Sequence, residues 1–421
     1  MTSRMPNRNR PGAGPVFLVI LAGLGMVGPF SIDTIFPAFT HLEQEWGVSE
    51  LALQQLVSVY LLAFAAMSLL HGPLSDALGR KPVIIGGTVL YVAASVGCAV
   101  APDLGVLLFF RAVQGLSAGA GQIISRAMVR DVFTDEQAQR TMSHIAMIFG
   151  LAPALAPIIG GLVLGFADWR GIFWFLTAYG LLLLALVVLA LPETHPARQR
   201  SRFDGRTLLD GLLGVWRHAT GRRLAFTGMF NFAGMFLYIS SAPLFVVKLL
   251  GRGEQDFWIL FVPLISGMVC GSWLSGRLAG RMSGRRLASL GYLISVVAAV
   301  GNLAISLVPG AAALPWVVAC LPFYSFGIAL AFPILTLAML DEFPHSRGAA
   351  SSVQSFVSLL ANAGIAGLLA PAVAFSLPSL AATALGLTLV AWWLWGRHLR
   401  RTSAEPAAVV DAAAYEPTDE L

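Results

Sequence analysis

The chain has 421 residues, of which 57% are hydrophobic and only 12% are charged, and its mean hydropathy is +0.76. Soluble domains carry roughly twice that charged fraction, so the composition excludes a water-soluble fold. The net charge of +5 does not indicate nucleic acid binding, because the positions of the basic residues have another explanation.

Twelve apolar runs follow one another along the chain, and a helix of about 20 such residues crosses a bilayer core of about 30 Å. The runs are continuous rather than alternating, which predicts helices rather than the strands of a barrel. The first run continues through Asp33 without a cleavage site, so we expect a retained span rather than a signal peptide. We predict an all-α polytopic membrane protein with spans at 16–38, 51–75, 83–101, 104–125, 143–166, 171–192, 223–248, 255–276, 287–308, 313–338, 348–372 and 377–396.

The basic residues lie mainly on one side of this arrangement. If the N-terminus is inside the cell, the cytoplasmic segments contain 23 of the 27 Lys and Arg residues, and the opposite side contains only Arg170, Lys248 and Arg252. This positive-inside bias predicts that both termini are cytoplasmic. The remaining basic residue, Arg111, lies inside span 4.

A polar, Arg-rich stretch in the middle of the chain separates two groups of six spans. The segment from Gly72 to Lys81 is partly repeated from Gly276 to Arg286, about half the chain later, as duplication of a six-helix unit requires. We predict two pseudo-symmetric six-helix bundles, with the C-terminal tail lacking the apolar content to fold. The predicted organisation is an N-tail at 1–15, bundles at 16–192 and 223–398, a linker at 193–222 and a disordered tail at 399–421.

Two charged residues lie well inside predicted spans, away from the first and last residues of the helices, Asp33 in span 1 and Arg111 in span 4, and intramembrane charges usually serve a function. Both lie at a similar distance from the outer ends of their helices, so they can meet. A carboxyl group near the only intramembrane cation can load and release a proton as the conformation changes, which predicts a proton-coupling pair. A purely structural role, in fixing helix packing, is the alternative for each.

Two further segments are predicted to move. In the connection between spans 2 and 3, glycines allow close backbone approach, and Asp76 can cap a helix or pair with an Arg, forming a latch that closes the inner face in one state. An ordinary capped loop is the alternative. The latch residues are Gly72, Asp76, Gly79, Arg80 and Lys81. Span 5 is predicted to bend at Pro153, Pro157, Gly160 and Gly161.

Aromatic residues crowd spans 7, 8 and 10 and suit an apolar cavity for lipophilic guests. The substrate-cavity candidates are Phe30, Gln114, Phe230, Asn231, Tyr324 and Gln354. No Walker-type phosphate loop or metal-ligand spacing occurs in the sequence, so we expect no enzyme activity, no metal and no cofactor, with proton motive force as the energy source.

The latch segment resembles motif A of the major facilitator superfamily, G-x-L-x-D-x-x-G-R-K, at every fixed position. Arg111 to Gly115 with Gly119 resembles motif B, and Ala156 to Gly161 resembles the antiporter-associated motif C. The D-x-x-x-P pattern of drug:proton antiporters is matched by Asp33 and Pro37. Together with the segment from Ala127 to Phe133, these motifs are most similar to the Bcr/CflA group of bacterial multidrug exporters.

The resemblance implies a monomeric exporter in a bacterial inner membrane that exchanges lipophilic neutral or monocationic compounds for protons by rocking its two halves. Motif C departs from the family pattern with Ala152 and Ala156 in place of glycines. The absence of a second acid at Gly25 or Met26 favours one coupling proton. A proton-coupled symporter that imports a metabolite is the alternative, and a membrane scaffold or sensor is a more distant one.

Overall fold

A computed structural model describes residues 14–133, 135–200, 204–278, 281–308, 313–344 and 346–404. This part of the chain is helical and contains no strand, which confirms the all-α prediction. The twelve main helices, numbered as spans 1 to 12, are Pro15–Asp33, Glu50–Ser68, Arg80–Ala99, Leu104–Val132, Asp135–Leu164, Arg170–Ala190, Ala219–Ser240, Trp258–Leu278, Gly284–Leu307, Leu321–Glu342, Arg347–Gly364 and Leu377–Ala404.

Shorter helices connect or extend the spans. Beyond span 1, a 3₁₀ turn at Phe36–Ala38 leads into the outer helix Phe39–Trp46. The remaining short elements are His71–Leu78 before span 3, Ala197–Gln199 and Gly205–Arg217 in the linker, a π-helix at Leu244–Leu249 after span 7, Trp316–Ala319 before span 10, and Ile365–Leu369 and Ala370–Val373 after span 11.

Ten helices in the described part of the chain are long and apolar enough to cross a membrane. The two others are spans 5 and 7. Span 5 has a shorter apolar stretch at Leu151–Leu164, and span 7 begins with polar residues that include Arg222 and Arg223. Both nevertheless pack along their neighbours as part of the bundles, span 5 on span 1 and span 7 on span 12.

The helices form two halves related by a shift of six spans. In the first half, span 4 packs on spans 2 and 3, and in the second half, span 10 packs on the corresponding spans 8 and 9. The main contacts between the halves join span 2 to span 11 and span 5 to span 8. Span 2 corresponds to span 8, and span 5 corresponds to span 11, so each of these two contacts is the symmetry equivalent of the other. This is expected of a duplicated unit with pseudo-twofold symmetry.

The end of the bundle that contains the connection between spans 1 and 2 is called the outer end, and the end that contains the linker is called the inner end. At the outer end, side-chain amides and a hydroxyl of span 2 donate hydrogen bonds to backbone carbonyls of the second half. Gln54 donates to Ser240 at 3.0 Å, Gln55 to Gly367 at 3.0 Å and Ser58 to Ala363 at 2.9 Å. The outer end is therefore closed in this conformation.

Some element boundaries differ from the sequence-based expectation. The linker contains the amphipathic helix Gly205–Arg217, and span 7 begins at Ala219 rather than at 223. Asp204 caps the linker helix, and hydrogen bonds from the Thr207 hydroxyl and the Arg206 backbone N–H lower the pKa of its carboxyl. Span 12 continues through Ala404, although the sequence predicts that the tail begins at 399. Residues 405–421 of the predicted tail and 1–13 of the N-tail lie outside the described residues.

Gly115 allows span 4 to lie directly against span 2. A Cβ atom at this position would collide with the backbone carbonyl of Tyr60, and its other near neighbour is Ala63. Close backbone approach through small residues is a common way for helices to pack in membranes, where lipid provides no hydrophobic driving force between them.

We predict that Gly115→Ala destabilises the protein by about 1–3 kcal/mol, because the added methyl group forces two packed helices apart. The midpoint of thermal unfolding in detergent measures the effect. Gly86→Ala in span 3 is the matched control, since open space surrounds Gly86 and a helical Ala is favoured over Gly. Equal unfolding temperatures for the two variants would contradict the close approach at Gly115.

Candidate functional site

Arg111 is fully buried in span 4, and its guanidinium group binds backbone and side-chain oxygens from three spans. Nε donates to the carbonyl of Leu56 at 3.0 Å. Nη1 donates both to the carbonyl of Ser31 at 2.8 Å and to Oε1 of Gln114 at 2.9 Å. The guanidinium carbon also lies 4.7 Å from the centre of the Tyr60 ring, in a cation–π contact. One side chain thus holds spans 1, 2 and 4 together.

A second set of hydrogen bonds extends this cluster to span 3. The Tyr91 hydroxyl lies 2.7 Å from the Ser31 hydroxyl, which donates to the carbonyl of Val27. Gln114 donates through Nε2 to the Ser95 hydroxyl at 2.8 Å, and Ser95 donates to the carbonyl of Tyr91. Because lipid cannot replace these partners, the network fixes four spans in one arrangement.

Asp33 is the last residue of the span 1 helix and is only 3% exposed. The described residues provide no ion-pair or hydrogen-bond partner for its carboxyl group. Arg111 contacts the backbone of Ser31, so the two predicted partners lie at a similar depth but are not paired in this conformation. Tyr60 interacts electrostatically with both of them and with the side chain of Ser31.

The chemistry available at Asp33 follows from these surroundings. A carboxyl group in a low-dielectric interior without a paired cation is sensitive to any water or cation that reaches it. It can bind one proton and release it when access changes. Nη2 of Arg111 is buried without a partner, so this group can interact with a ligand or water that enters here.

Span 5 touches both the Asp33 turn and the other half of the protein. A Cβ atom at Gly160 would collide with the carbonyl of Thr34, the residue after Asp33, and one at Gly161 would lie 2.7 Å from the carbonyl of Glu254 in the second half. Pro153 and Pro157 lie inside the helix, which continues through them to Leu164. Through these two glycines, one helix contacts both the turn after Asp33 and the second half.

The predicted latch forms an ionic cluster at the inner end. Arg80 is nearly buried, and it donates through Nη1 to Asp76 at 2.5 Å and through Nε to Asp131 at 3.1 Å. Lys81 donates to the carbonyl of Val188 at 2.9 Å. Gly79 has a φ of +103°, a conformation that suits glycine, whereas Gly72 has open space around it rather than a close neighbour.

Sequence reasoning missed Glu193, which completes this cluster from the start of the linker. Its carboxylate accepts hydrogen bonds from the backbone N–H groups of Arg80 at 3.1 Å and Lys81 at 3.2 Å, capping span 3. Arg200 lies 3.8 Å away in an ion pair, and Thr194 donates to Asp131 at 2.8 Å. Glu193 is the first acidic residue after the apolar run of span 6, and acidic side chains favour helix N-termini. Its position was therefore the one signal in the sequence that could have indicated a cap.

The six cavity candidates are distributed over both halves. Phe30 packs against Tyr179 and Phe175 with ring centres 5.2 and 6.1 Å away, and Gln114 belongs to the Arg111 network. In the second half, Phe230 packs against a buried cluster that includes Trp395 and Tyr292. These three candidates therefore do not line one open pocket in this conformation.

The other three candidates lie in the second half and are buried. Tyr324 lines a small cavity with Tyr238 and Asn302, and its hydroxyl lies 2.8 Å from that of Thr388. Asn231 donates to the carbonyl of Ile328 at 3.3 Å, and its oxygen has no partner. Gln354 lies beside Gly228, one helical turn before Asn231. No group of three His, Cys, Asp or Glu side chains that could hold a metal occurs in the described part of the chain.

Comparison with known proteins places these features in a family. The model of the Major Facilitator Superfamily matches residues 21–366. A bicyclomycin resistance protein homolog of Haemophilus influenzae is 26% identical over 84% of this chain and 89% of its own length. Multidrug resistance protein D of Escherichia coli K12 is 28% identical over 90% of this chain and 94% of its own length.

A solved D-xylose-proton symporter has the same fold, with a TM-score of 0.69 and 16% identity over 90% of this chain and 97% of the symporter. At this level of identity, the likeness concerns the fold alone.

We predict that Arg111→Lys loses transport nearly as completely as Arg111→Ala, because one ammonium group cannot reproduce a planar fork of donors. Each buried oxygen left without a donor should cost about 1–3 kcal/mol of stability. Transport measured against pH, together with thermal unfolding, tests both variants. Arg170→Lys, at an exposed end of span 6, is the control and should remain active. A Lys variant that retains most of the transport would indicate that charge alone matters.

We predict that Glu193→Gln slows turnover without weakening substrate binding, because Glu193 contacts none of the cavity candidates in the described residues and a neutral amide is a weaker cap. The change should correspond to about 1–2 kcal/mol in the preference between conformations. Initial transport rates and the substrate Kd of purified protein separate the two effects. Asp210→Asn, an exposed acid of the linker helix, serves as the control. A large rise in Kd with normal turnover would refute a latch role.

Proposed function

The chain belongs to the Major Facilitator Superfamily, and from this premise we propose that it exports lipophilic neutral or monocationic drug-like compounds in exchange for protons. Membership makes it a multi-pass membrane transporter rather than an enzyme. The finer assignment depends on the Asp33 site, on the named relatives and on the distribution of charge.

The observation that carries the proposal is the state of Asp33. This acid is buried, has no ion partner in the described residues and ends a helix directly beside the interface between the halves. Such a group can couple movement of the halves to one proton, because opening either end of the bundle changes its access to water. A residue used only for packing would be expected to carry a compensating cation or hydrogen bond.

The relatives support the direction and the type of substrate. Two of them are named for resistance to bicyclomycin and to multiple drugs, and the matches cover most of both chains. Resistance requires removal of a compound from the cell. The fold alone does not separate export from import, since a symporter shares it, so importing a metabolite with a proton is the alternative that transport direction must decide.

The charge distribution supports an orientation in a bacterial inner membrane. Most basic residues lie in connections at the inner end, which includes the linker between the halves. By the positive-inside rule, the inner end faces the cytoplasm and the outer end faces the periplasm. The conformation described above, closed at its outer end, then corresponds to an inward-facing or occluded state of the cycle.

In the proposed cycle, Asp33 is unprotonated when a substrate enters from the cytoplasm, and it receives a proton after the outer end has opened. The Arg111 network keeps spans 1 to 4 in fixed positions relative to one another during this movement, so Asp33 moves together with the first half. Gly160 and Gly161 connect the Asp33 turn to the second half, where contacts form and break. The latch around Arg80 opposes this movement at the inner end.

Exchange of one proton has an energetic consequence. Export of a monocation for one proton moves no net charge, so only the pH gradient drives it, with about 1.4 kcal/mol per pH unit. Export of a neutral compound moves one positive charge inward and also gains about 2.3 kcal/mol per 100 mV of membrane potential. A single coupling carboxyl group therefore serves both classes of compound.

Asn231 and Gln354 are the proposed polar contacts of the substrate. Asn231 lies on span 7 and Gln354 on span 11. The oxygen of Asn231 is buried without a partner. Gln354 makes no hydrogen bond within the described residues. Phe30, Gln114, Phe230 and Tyr324 are proposed to contact substrate only after the helices rearrange, because their present partners occupy them.

We predict that Asp33→Asn reduces proton-driven export to background while substrate binding persists, because an amide cannot bind and release the proton. Export of a fluorescent lipophilic cation from inverted vesicles under a pH gradient measures the first effect, and a Kd of purified protein measures the second. Asp103→Asn is the matched control, since Asp103 caps span 4 at the exposed outer end and Asn can also cap. Wild-type export by the Asp33→Asn variant would refute the coupling role.

A further inference from the structure

Charged side chains from the two halves meet at the outer end, outside the Asp33 site. His41 Nε2 lies 2.9 Å from Glu254 Oε2. Lys248 contacts Glu50 directly and lies 3.8 Å from Glu43. His41 and the two acids that pair with Lys248 belong to the outer helix and the start of span 2, whereas Lys248 and Glu254 lie between spans 7 and 8. All three contacts therefore cross from one half to the other.

The His41 pair is connected to the coupling site through the backbone on both sides. His41 lies on the outer helix, which continues from Asp33 through the 3₁₀ turn Phe36–Ala38. Glu254 contacts Gly161 through its backbone carbonyl, while the adjacent Gly160 packs on the carbonyl of Thr34. A change in the separation of His41 and Glu254 is therefore transmitted to the two elements that enclose Asp33.

We propose that His41 and Glu254 form a second proton-binding site, on the outer face, and that loading this site closes the outer end. An imidazole changes charge between about pH 5 and pH 8. The neutral ring donates one hydrogen bond to the Glu254 carboxylate, whereas the imidazolium adds a charge-assisted bond across the two halves. Opening the outer end separates the pair, so protonation favours the closed state through differential interaction with the two states.

The other charged groups at this face are Glu43 and Glu45 on the helix of His41, Glu50 on span 2, Arg170 on span 6, and Lys248 in the second half. Glu45 is engaged within the first half, by Trp169 at 2.6 Å and Arg170 at 3.0 Å. Lys248 and its two acids supply a second contact between the halves, which contains no imidazole.

The exposure of the pair separates it from Asp33. The side chains of His41 and Glu254 are 43% and 28% exposed, so the outer solution reaches them even while the outer end is closed. Asp33 is only 3% exposed and depends on opening for access. If the proposed antiport operates, Asp33 first receives a proton from the acidic exterior while the outer end is open. Protonated His41 then favours closure of the outer end, after which the proton on Asp33 can be released to the inside.

Distances between spin labels at the outer end test the proposal without using transport. The labels are placed at Pro102→Cys between spans 3 and 4 and at exposed Phe375→Cys between spans 11 and 12. Cys98, Cys270 and Cys320 are replaced by Ala, and Asp33→Asn removes the coupling carboxyl group. In lipid nanodiscs, we expect the ratio of closed to open distances to rise roughly two- to fivefold from about pH 8 to about pH 5.5, the range typical of an exposed ion pair.

His41→Gln retains a hydrogen-bond donor but cannot gain charge, so we expect it to abolish this pH response. Glu254→Gln should abolish it as well, which provides a second test if one variant folds poorly. Lys248→Gln should favour the open state at both pH values and keep the response. Arg170→Gln is the control, because it breaks an ion pair with Glu45 inside one half, and it should leave the distances unchanged.

The results separate this site from the proposed antiport. An unchanged pH response in His41→Gln, or no response in the parent protein, would overturn the outer proton site and leave the role of Asp33 intact. Conversely, a response that His41→Gln removes supports the outer site even if the export assay finds that Asp33 is not the coupling residue.

Discussion

The buried guanidinium of Arg111 is the interaction on which the arrangement of the first half depends. A charge in the membrane interior is costly unless its donors are satisfied by protein. Here the carbonyl oxygens of Ser31 and Leu56 and the amide of Gln114 take that role, at distances of 2.8 to 3.0 Å. Because the acceptors include backbone carbonyls of spans 1 and 2, moving either span away from span 4 would take one partner from a buried charge. We therefore expect the first half to move as one body.

Such rigidity would suit Asp33 to the coupling role proposed above. Its helix is fixed two residues earlier by the bond from Arg111 to Ser31, while its carboxyl group remains without a paired cation. The carboxyl thus keeps its position relative to the first half, and only its exposure changes when the second half moves. A direct ion pair with Arg111 would instead neutralise the acid within the rigid body and make its charge less responsive to the interface.

The two ends of the bundle use charge in different ways in this conformation. At the inner end, the partners of Asp76, Arg80 and Lys81 in the described residues lie in the first half or at the start of the linker. At the outer end, His41 and Lys248 pair across the two halves. Contacts that cross between the halves must break when the outer end opens, so the outer pairs bear directly on the equilibrium between states.

Much of the architecture follows from the sequence alone, because a bilayer restricts long apolar segments to helices that satisfy their own backbone hydrogen bonds. The apolar runs predicted the all-α polytopic fold, and the rarity of intramembrane charge singled out Asp33 and Arg111. The motifs around Asp76 and Arg80 led to the prediction of a conformational latch; the structure shows an ionic cluster there, and the latch role stays a prediction.

Only the tertiary structure decided which atoms these residues contact. The partners of Arg111 are largely backbone carbonyls, which every residue carries and which leave no signature in a sequence. Glu193 caps span 3 from more than a hundred positions away, and His41 meets Glu254 across 213 positions. Such pairs depend on how helices distant in sequence pack side by side, and hydrophobic periodicity identifies the helices without specifying their neighbours.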